Sequence, residues 1–276
     1  MRLAESSERL SPPRGGAPPP AVVLHSSRER ARSVARHSFP RRRARLLMAK
    51  TPEELEHTFR TSLVDAAIID LAGAGEDTWR AARLAREFPS VPFFGLTTLR
   101  ASESPAVAQC AALDFADVLV ESVDDTVLRH LVLRQAFSTR FAVALFDPPE
   151  ALALSTPLQQ AAWRCIVAWA GRPVRTQSLA DALRVTREHL SRTFAAEGAP
   201  NLKRVIDLVR LIAAAELAKN PGYDVRDVAE VLDFASSSHL SSTAQRIVGT
   251  KPMSLARLRA VDLVERFTRG HGRSRG

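Results

Sequence analysis

The chain has 276 residues, 45% of them hydrophobic, with a net charge of +9. That is room for about two domains, and no apolar run approaches the ~20 residues that cross a bilayer. The first twenty residues hold five prolines and no apolar core, unlike a secretory signal. Two distant cysteines, Cys110 and Cys165, exclude a disulfide framework and the common Cys/His zinc spacings, and suit a reducing cytoplasm.

Charge is segregated along the chain. Net charge is +8 over residues 1–45, −6 over 46–147 and +7 over 148–276. An acidic middle followed by a basic C-terminal third implies two domains with different partners, the second a polyanion.

Residues 1–20 read as a disordered leader. From 21 to 140 short apolar runs alternate with amphipathic stretches. AVVLH (21–25), ARLLMA (44–49), VDAAIID (64–70), VPFFGLT (91–97) and DVLV (117–120) read as strands. Helices are expected over 27–37, 52–61, 77–87, 104–112 and 124–138. Thr51, Pro52 and Glu54 have the spacing of a capping box with proline at the first helical position. Five buried strands alternating with helices predict a doubly wound parallel α/β sheet, with sites beyond the carboxyl ends of its strands. FAVALFDPPEALALSTP (141–157) reads as a linker.

Residues 158–267 show no strand pattern, only helices near 158–170, 178–183, 187–196, 202–219, 225–232, 237–247 and 254–267. Residues 268–276 form a basic tail. Within this all-α block, LADALRVTREHLSRTF (179–194) and VAEVLDFASSSHLSSTA (228–244) repeat. Ala180, Asp181 and Leu183 match Ala229, Glu230 and Leu232 at 49 residues, and HLSRT matches HLSST at 50, so one residue enters at the turn. Each copy reads as a helix-turn-helix. Small Ala180 and Ala229 let helices cross, Leu183, Leu190, Leu232 and Leu240 fill the wedge, and Thr186 and Ser236 cap the second helix. That helix suits a major groove, and the stretch 203–219 is a stiff spacer able to set two such helices about one DNA turn apart.

These strings resemble the DNA-binding domain of AraC-type transcription regulators. Arg210, Leu211, Ala214 and Leu217 stand in its central R-L-x-x-A-x-x-L, and Phe234, Ser236, Gly249 and Pro252 in its F-x-S and G-x-x-P. The resemblance implies that Arg187, Glu188, Ser191 and Arg192 face bases or phosphates from the first reading helix. Ser237, Ser238, Ser241 and Ser242 do so from the second, with Arg246 beside them for phosphate. The chain departs from the family at Asp233 (usually Gly), Leu240 (an aromatic), Ser242 (Arg or Lys) and Ala244 (Phe). The first motif is therefore expected to carry most base-specific energy.

Residues 21–140 resemble the flavodoxin-like receiver domain of response regulators. Asp70 stands where receivers keep a phosphoacceptor, Thr97 where they keep a switch hydroxyl, and Glu121-Ser122 where they have Lys-Pro. Phosphorylating a carboxylate needs a metal held by further carboxylates. After the first strand this chain offers His25, Ser26 and Ser27, and no lysine occurs between Lys50 and Lys203. Asp70 is therefore expected to be a vestigial phosphoacceptor that caps the next loop, in a pseudo-receiver used for packing, dimerisation or partner binding. The eight arginines at 28–45 are read as a solvated helix face and loop, with contact to DNA as the alternative.

The reading that follows is a cytoplasmic regulator of transcription acting by binding, without cofactor or metal. Its partner is double-stranded promoter DNA, with RNA polymerase and a second copy of the receiver-like domain as further candidates and no membrane. An adaptor with degenerate DNA binding and a phosphorylation-controlled response regulator stay open. No GxSxG, P-loop or GxGxxG motif supports an enzyme.

Overall fold

The computed structural model describes residues 16–98 and 100–272. Most of the expected leader and the end of the basic tail lie outside the described residues. The rest forms two compact units: residues 19–140 with 219–231, and 141–218 with 232–276 and 16–18.

The first unit is built on β1 (Ala21–His25), β2 (Arg45–Ala49), β3 (Ala66–Asp70), β4 (Phe93–Thr97) and β5 (Asp117–Val120), all parallel in the order β2-β1-β3-β4-β5. This is the flavodoxin-like doubly wound order. Its crossover helices are α1 (Glu29–Ser38), α2 (Pro52–Thr61), α3 (Glu76–Glu87), α4 (Ser104–Ala112) and α5 (Leu128–Gln135). Side chains alternate between sheet faces. Val22, Leu24, Ile68, Phe94 and Leu96 pack with Ala31 and Ala35 of α1 and with Leu128 and Val132 of α5. On the other face Phe93 of β4 stacks on Phe59 of α2, which stacks on Phe88 just after α3, at 5.6 and 4.4 Å. Each such buried side chain contributes roughly 1.5–3 kcal/mol.

Thr51 caps α2 as expected, accepting from the Glu54 N–H at 3.2 Å. The return bond differs: the Glu54 carboxylate takes the Lys50 N–H, not that of Thr51. The helix expected over 124–138 is broken. Ala136 is extended (ψ 142°), because buried Asp65 begins a new helix there. The Asp65 carbonyl accepts from Phe137 N–H, and its carboxylate accepts from Ser138 N–H at 2.9 Å and Ala21 N–H at 2.7 Å. The new helix α6 (Phe137–Ala144) runs into the stretch read as a linker.

The remaining helices are α7 (Pro157–Ala168), α8 (Thr176–Leu183), α9 (Arg187–Phe194), α10 (Leu202–Leu217), α11 (Val225–Val231), α12 (Ser237–Val248) and α13 (Ala260–Gly272). Thr156 and Gln159 form the capping box of α7. Trp163 on α7 is fully buried and gives its ring N–H to the Leu145 carbonyl at 2.7 Å. The helix expected over 254–267 is two: a 3-10 turn starting at Pro252, then α13, which extends into the stretch read as a tail. Spacer α10 is buried on nearly every side, including its expected stripe of Leu202, Val205, Ile206, Val209, Ile212 and Leu217. It is the core of its unit. Gly171 approaches it so closely that an added Cβ would sit 2.3 Å from the Ala213 Cβ. Helix α11, expected with the DNA-reading block, clusters with the sheet unit.

Candidate nucleic-acid interface and the Asp70 pocket

The two reading helices start alike. Thr186 Oγ accepts from the His189 N–H and Ser236 Oγ from the His239 N–H, each at 3.1 Å. The turns before them share one backbone device. Arg184 and Asp233, 49 residues apart, both sit in the left-handed region (φ 56° and 54°). This explains why glycine is usual at the second position.

Leu190 and Phe194 anchor α9 in the core, and its other face presents Arg187, Glu188, Ser191 and Arg192 to solvent. Leu240, Thr243, Ala244, Ile247 and Val248 anchor α12. Ser238, Ser242 and Arg246 are exposed, and Ser237 and Ser241 half-buried. The two helices contribute to one open groove of about 860 Å³. Arg187, Glu188 and Ser191 line it from α9, His239 and Arg246 from α12, and Lys203, Asp207 and Arg210 from α10.

Not every cation there is available. Arg246 Nη2 is held by the Asp207 carboxylate at 2.9 Å, and Arg187 pairs with Glu188 at 3.3 Å. The Ser242 hydroxyl donates to the His239 carbonyl of its own helix at 3.0 Å. Among the described residues no hydrogen bond or ion pair forms on Arg192. Arg210 has turned inward. Its guanidinium donates to the carbonyls of Gly171 (3.2 Å), Leu232 (3.0 Å) and Asp233 (3.2 Å) and lies 3.8 Å over the Phe234 ring. Burial lowers its pKa, against the pull of Asp207 and Asp233.

At the carboxyl end of the sheet, Asp70 is buried and fully engaged. Ser26 Oγ donates to its Oδ2 at 2.6 Å, and Arg28 clamps it by Nε to Oδ2 at 2.8 Å and Nη2 to Oδ1 at 2.6 Å. The Ala72 N–H completes the set at 3.2 Å, the loop-capping role expected of this residue. Arg28 Nη2 also reaches Glu121 at 2.8 Å, and Arg30 grips the other Glu121 oxygen at 2.6 Å and the Ser122 hydroxyl at 2.8 Å. The Asp70 bond, then Glu121, outweigh burial and raise the Arg28 pKa. Thr97 gives its hydroxyl to Glu103, which also accepts from Thr98 N–H and Oγ1 at 2.8 and 2.6 Å. Beside them His25 is buried with Nδ1 unpartnered, and burial lowers its pKa.

Residues 179–257 match a family described as a helix-turn-helix domain. The match makes this segment a helix-turn-helix domain, in agreement with the AraC-type resemblance of its motifs. No curated protein matches the chain. Among solved structures it is similar to a response regulator from Thermotoga maritima (15% identity, 41% of this chain, 92% of that one, TM-score 0.36). Full-length FixJ from B. japonicum is another (11% identity, 87% and 98% covered, TM-score 0.38). A third is RcsB from Salmonella enterica serovar Typhimurium bound to promoter rprA (15% identity, 68% and 97% covered, TM-score 0.34). Scores this low decide nothing, and the receiver-like character rests on strand order and on Asp70 at the end of β3.

The AraC-type reading placed Arg210 in a motif without a role; its role is to brace the second motif's turn. The absence of any lysine between Lys50 and Lys203 points to an Asp70 without a partner cation. That is corrected: Arg28, counted in a solvated arginine face, supplies it, and Glu121 stands across from it. The signal was an arginine three residues past β1 and a glutamate just past β5. His239 and Lys203 also line the groove, and no sequence motif singled them out.

Proposed function

We propose that the chain regulates transcription by laying α9 and α12 into successive major grooves on one face of promoter DNA, under a receiver-like domain that acts without phosphorylation. The observation that carries the reading is the shared groove, which both reading helices line across the buried α10. At ~1.5 Å per residue the sixteen-residue α10 is about 24 Å long, a rigid bar. Arg192 and, once it leaves Glu188 for the DNA, Arg187 fork onto guanine edges or phosphates, and Ser191, Ser237, Ser238 and Ser241 offer adaptable hydroxyls. Asp70 carries no phosphoryl group, because Arg28 holds both its oxygens. A cytoplasmic site of action and a second copy as partner are part of this proposal.

The adaptor reading draws on Ser242 and Arg246, whose polar groups are turned onto the protein itself. One experiment separates the two. Intact protein is titrated onto genomic fragments at rising salt. A regulator selects fragments, with affinity falling steeply in salt as phosphate contacts are lost. Uniform weak binding to every fragment sinks the regulator and leaves the adaptor.

A further inference from the structure

We infer that the edge of the receiver-like unit formed by α2 and the end of α3 is a docking surface for residues 219–231, and that this docking keeps the first helix of the second DNA-reading motif folded. This rests on the proposed reading of DNA by two motifs.

Helix α11 has seven residues, too few to be stable on its own. It packs against α2, and Val228 and Ala229 are buried. The segment leading into it is tied down atom by atom. Asn220, almost fully buried, accepts from the Ser90 N–H at 2.8 Å and donates Nδ2 to the Ser90 hydroxyl at 2.7 Å. The Gly222 N–H donates to the Glu87 carbonyl at 2.9 Å. Tyr223 gives its hydroxyl to the Phe59 carbonyl at 3.1 Å and sets its ring edge on Phe88 at 4.8 Å. It thereby extends the Phe93–Phe59–Phe88 stack that begins in the sheet. Arg60 then pairs with Asp227 at 2.7 Å. A contact built from buried aromatics and a satisfied buried amide is a permanent support; a releasable brake would keep its polar groups wet.

Gly222 supplies a narrow test. A Cβ there would lie 2.6 Å from Phe88 Cζ and 3.0 Å from Glu87 Cβ. Gly222→Ala therefore wedges the segment off with one methyl group, while Arg60→Ala removes the ion pair and keeps the core. Both are made in the full chain. Amide hydrogen exchange is followed over 225–231, and backbone cleavage protection on a fragment that the wild type selects. The expected result is at least tenfold faster exchange in 225–231 with β1, β3 and β4 unchanged. Protection is then lost at the half-site of α12 and kept at that of α9. Unchanged exchange in both variants overturns the docking surface. Faster exchange with tighter or unaltered DNA binding overturns the supporting role. Should the wild type protect no DNA, the two-motif reading fails and the support of a reading motif with it, while the exchange still decides the docking.

Discussion

Arg28 occupies Asp70 completely: its Nε takes Oδ2 at 2.8 Å and its Nη2 takes Oδ1 at 2.6 Å. An oxygen so held is a poor nucleophile, and a guanidinium leaves no place for the metal that phosphoryl transfer needs. Incubation with acetyl phosphate and Mg²⁺ should therefore add no 80-Da species to the intact protein by mass spectrometry. A species that disappears in Asp70→Asn contradicts this. Arg28→Ala should destabilise by about 3 kcal/mol, the low end for breaking a buried pair, because Arg28 is 30% exposed while Asp70 is 4%. Urea unfolding midpoints read that loss.

How far the sequence foretells this site follows from distance along the chain. The extents of β1, α4 and β5 are legible, since alternation and turn residues are local signals. So is the repeat, down to the caps at Thr186 and Ser236. The Arg28 contacts join residues 42 and 93 positions apart, and no period marks such a pairing. The break at Ala136 comes from Asp65, far upstream. The docking of 219–231 joins Asn220 to Ser90 across 130 residues, and nothing in AAAELAKNPGYDVRD announces it.

His25 makes stability depend on pH. Its folded pKa lies below the ordinary histidine range, chiefly through burial, so the fold favours the neutral ring. Below the unfolded pKa the unfolded chain binds the extra proton and folding loses stability. Its contribution is whole above about pH 7 and declines as pH falls through the mid-6 range toward the folded value. Thermal melts between pH 7.5 and 5.5 should show this decline in the wild type and a flatter profile in His25→Phe. Equal slopes in the two proteins would remove His25 from the account.

Arg210 should tolerate no simple replacement. Three backbone carbonyls and the Phe234 face depend on one planar guanidinium. Lysine keeps the charge but neither the fork nor the stack. Arg210→Lys and Arg210→Ala should each lose roughly 2–4 kcal/mol, from unmet carbonyls and lost packing. Denaturant titration checks the loss. Recovery of wild-type stability by lysine would reduce the residue to a point charge.

The two motifs should contribute unequally to DNA. Arg192 extends from α9 with no protein partner among the described residues, whereas Ser242 is bonded to its own helix. Arg192→Ala should cost ~1–3 kcal/mol of specific affinity and Ser242→Ala much less. Equal losses would overturn the ranking. Arg246 offers the complementary case, because Asp207 withholds it from phosphate. Asp207→Asn should release that cation, tighten binding and steepen the slope of log K against log salt by about one. The double variant Asp207→Asn with Arg246→Ala should lose the gain. A gain that persists without Arg246 would mean that Asp207 opposes DNA only through its own charge.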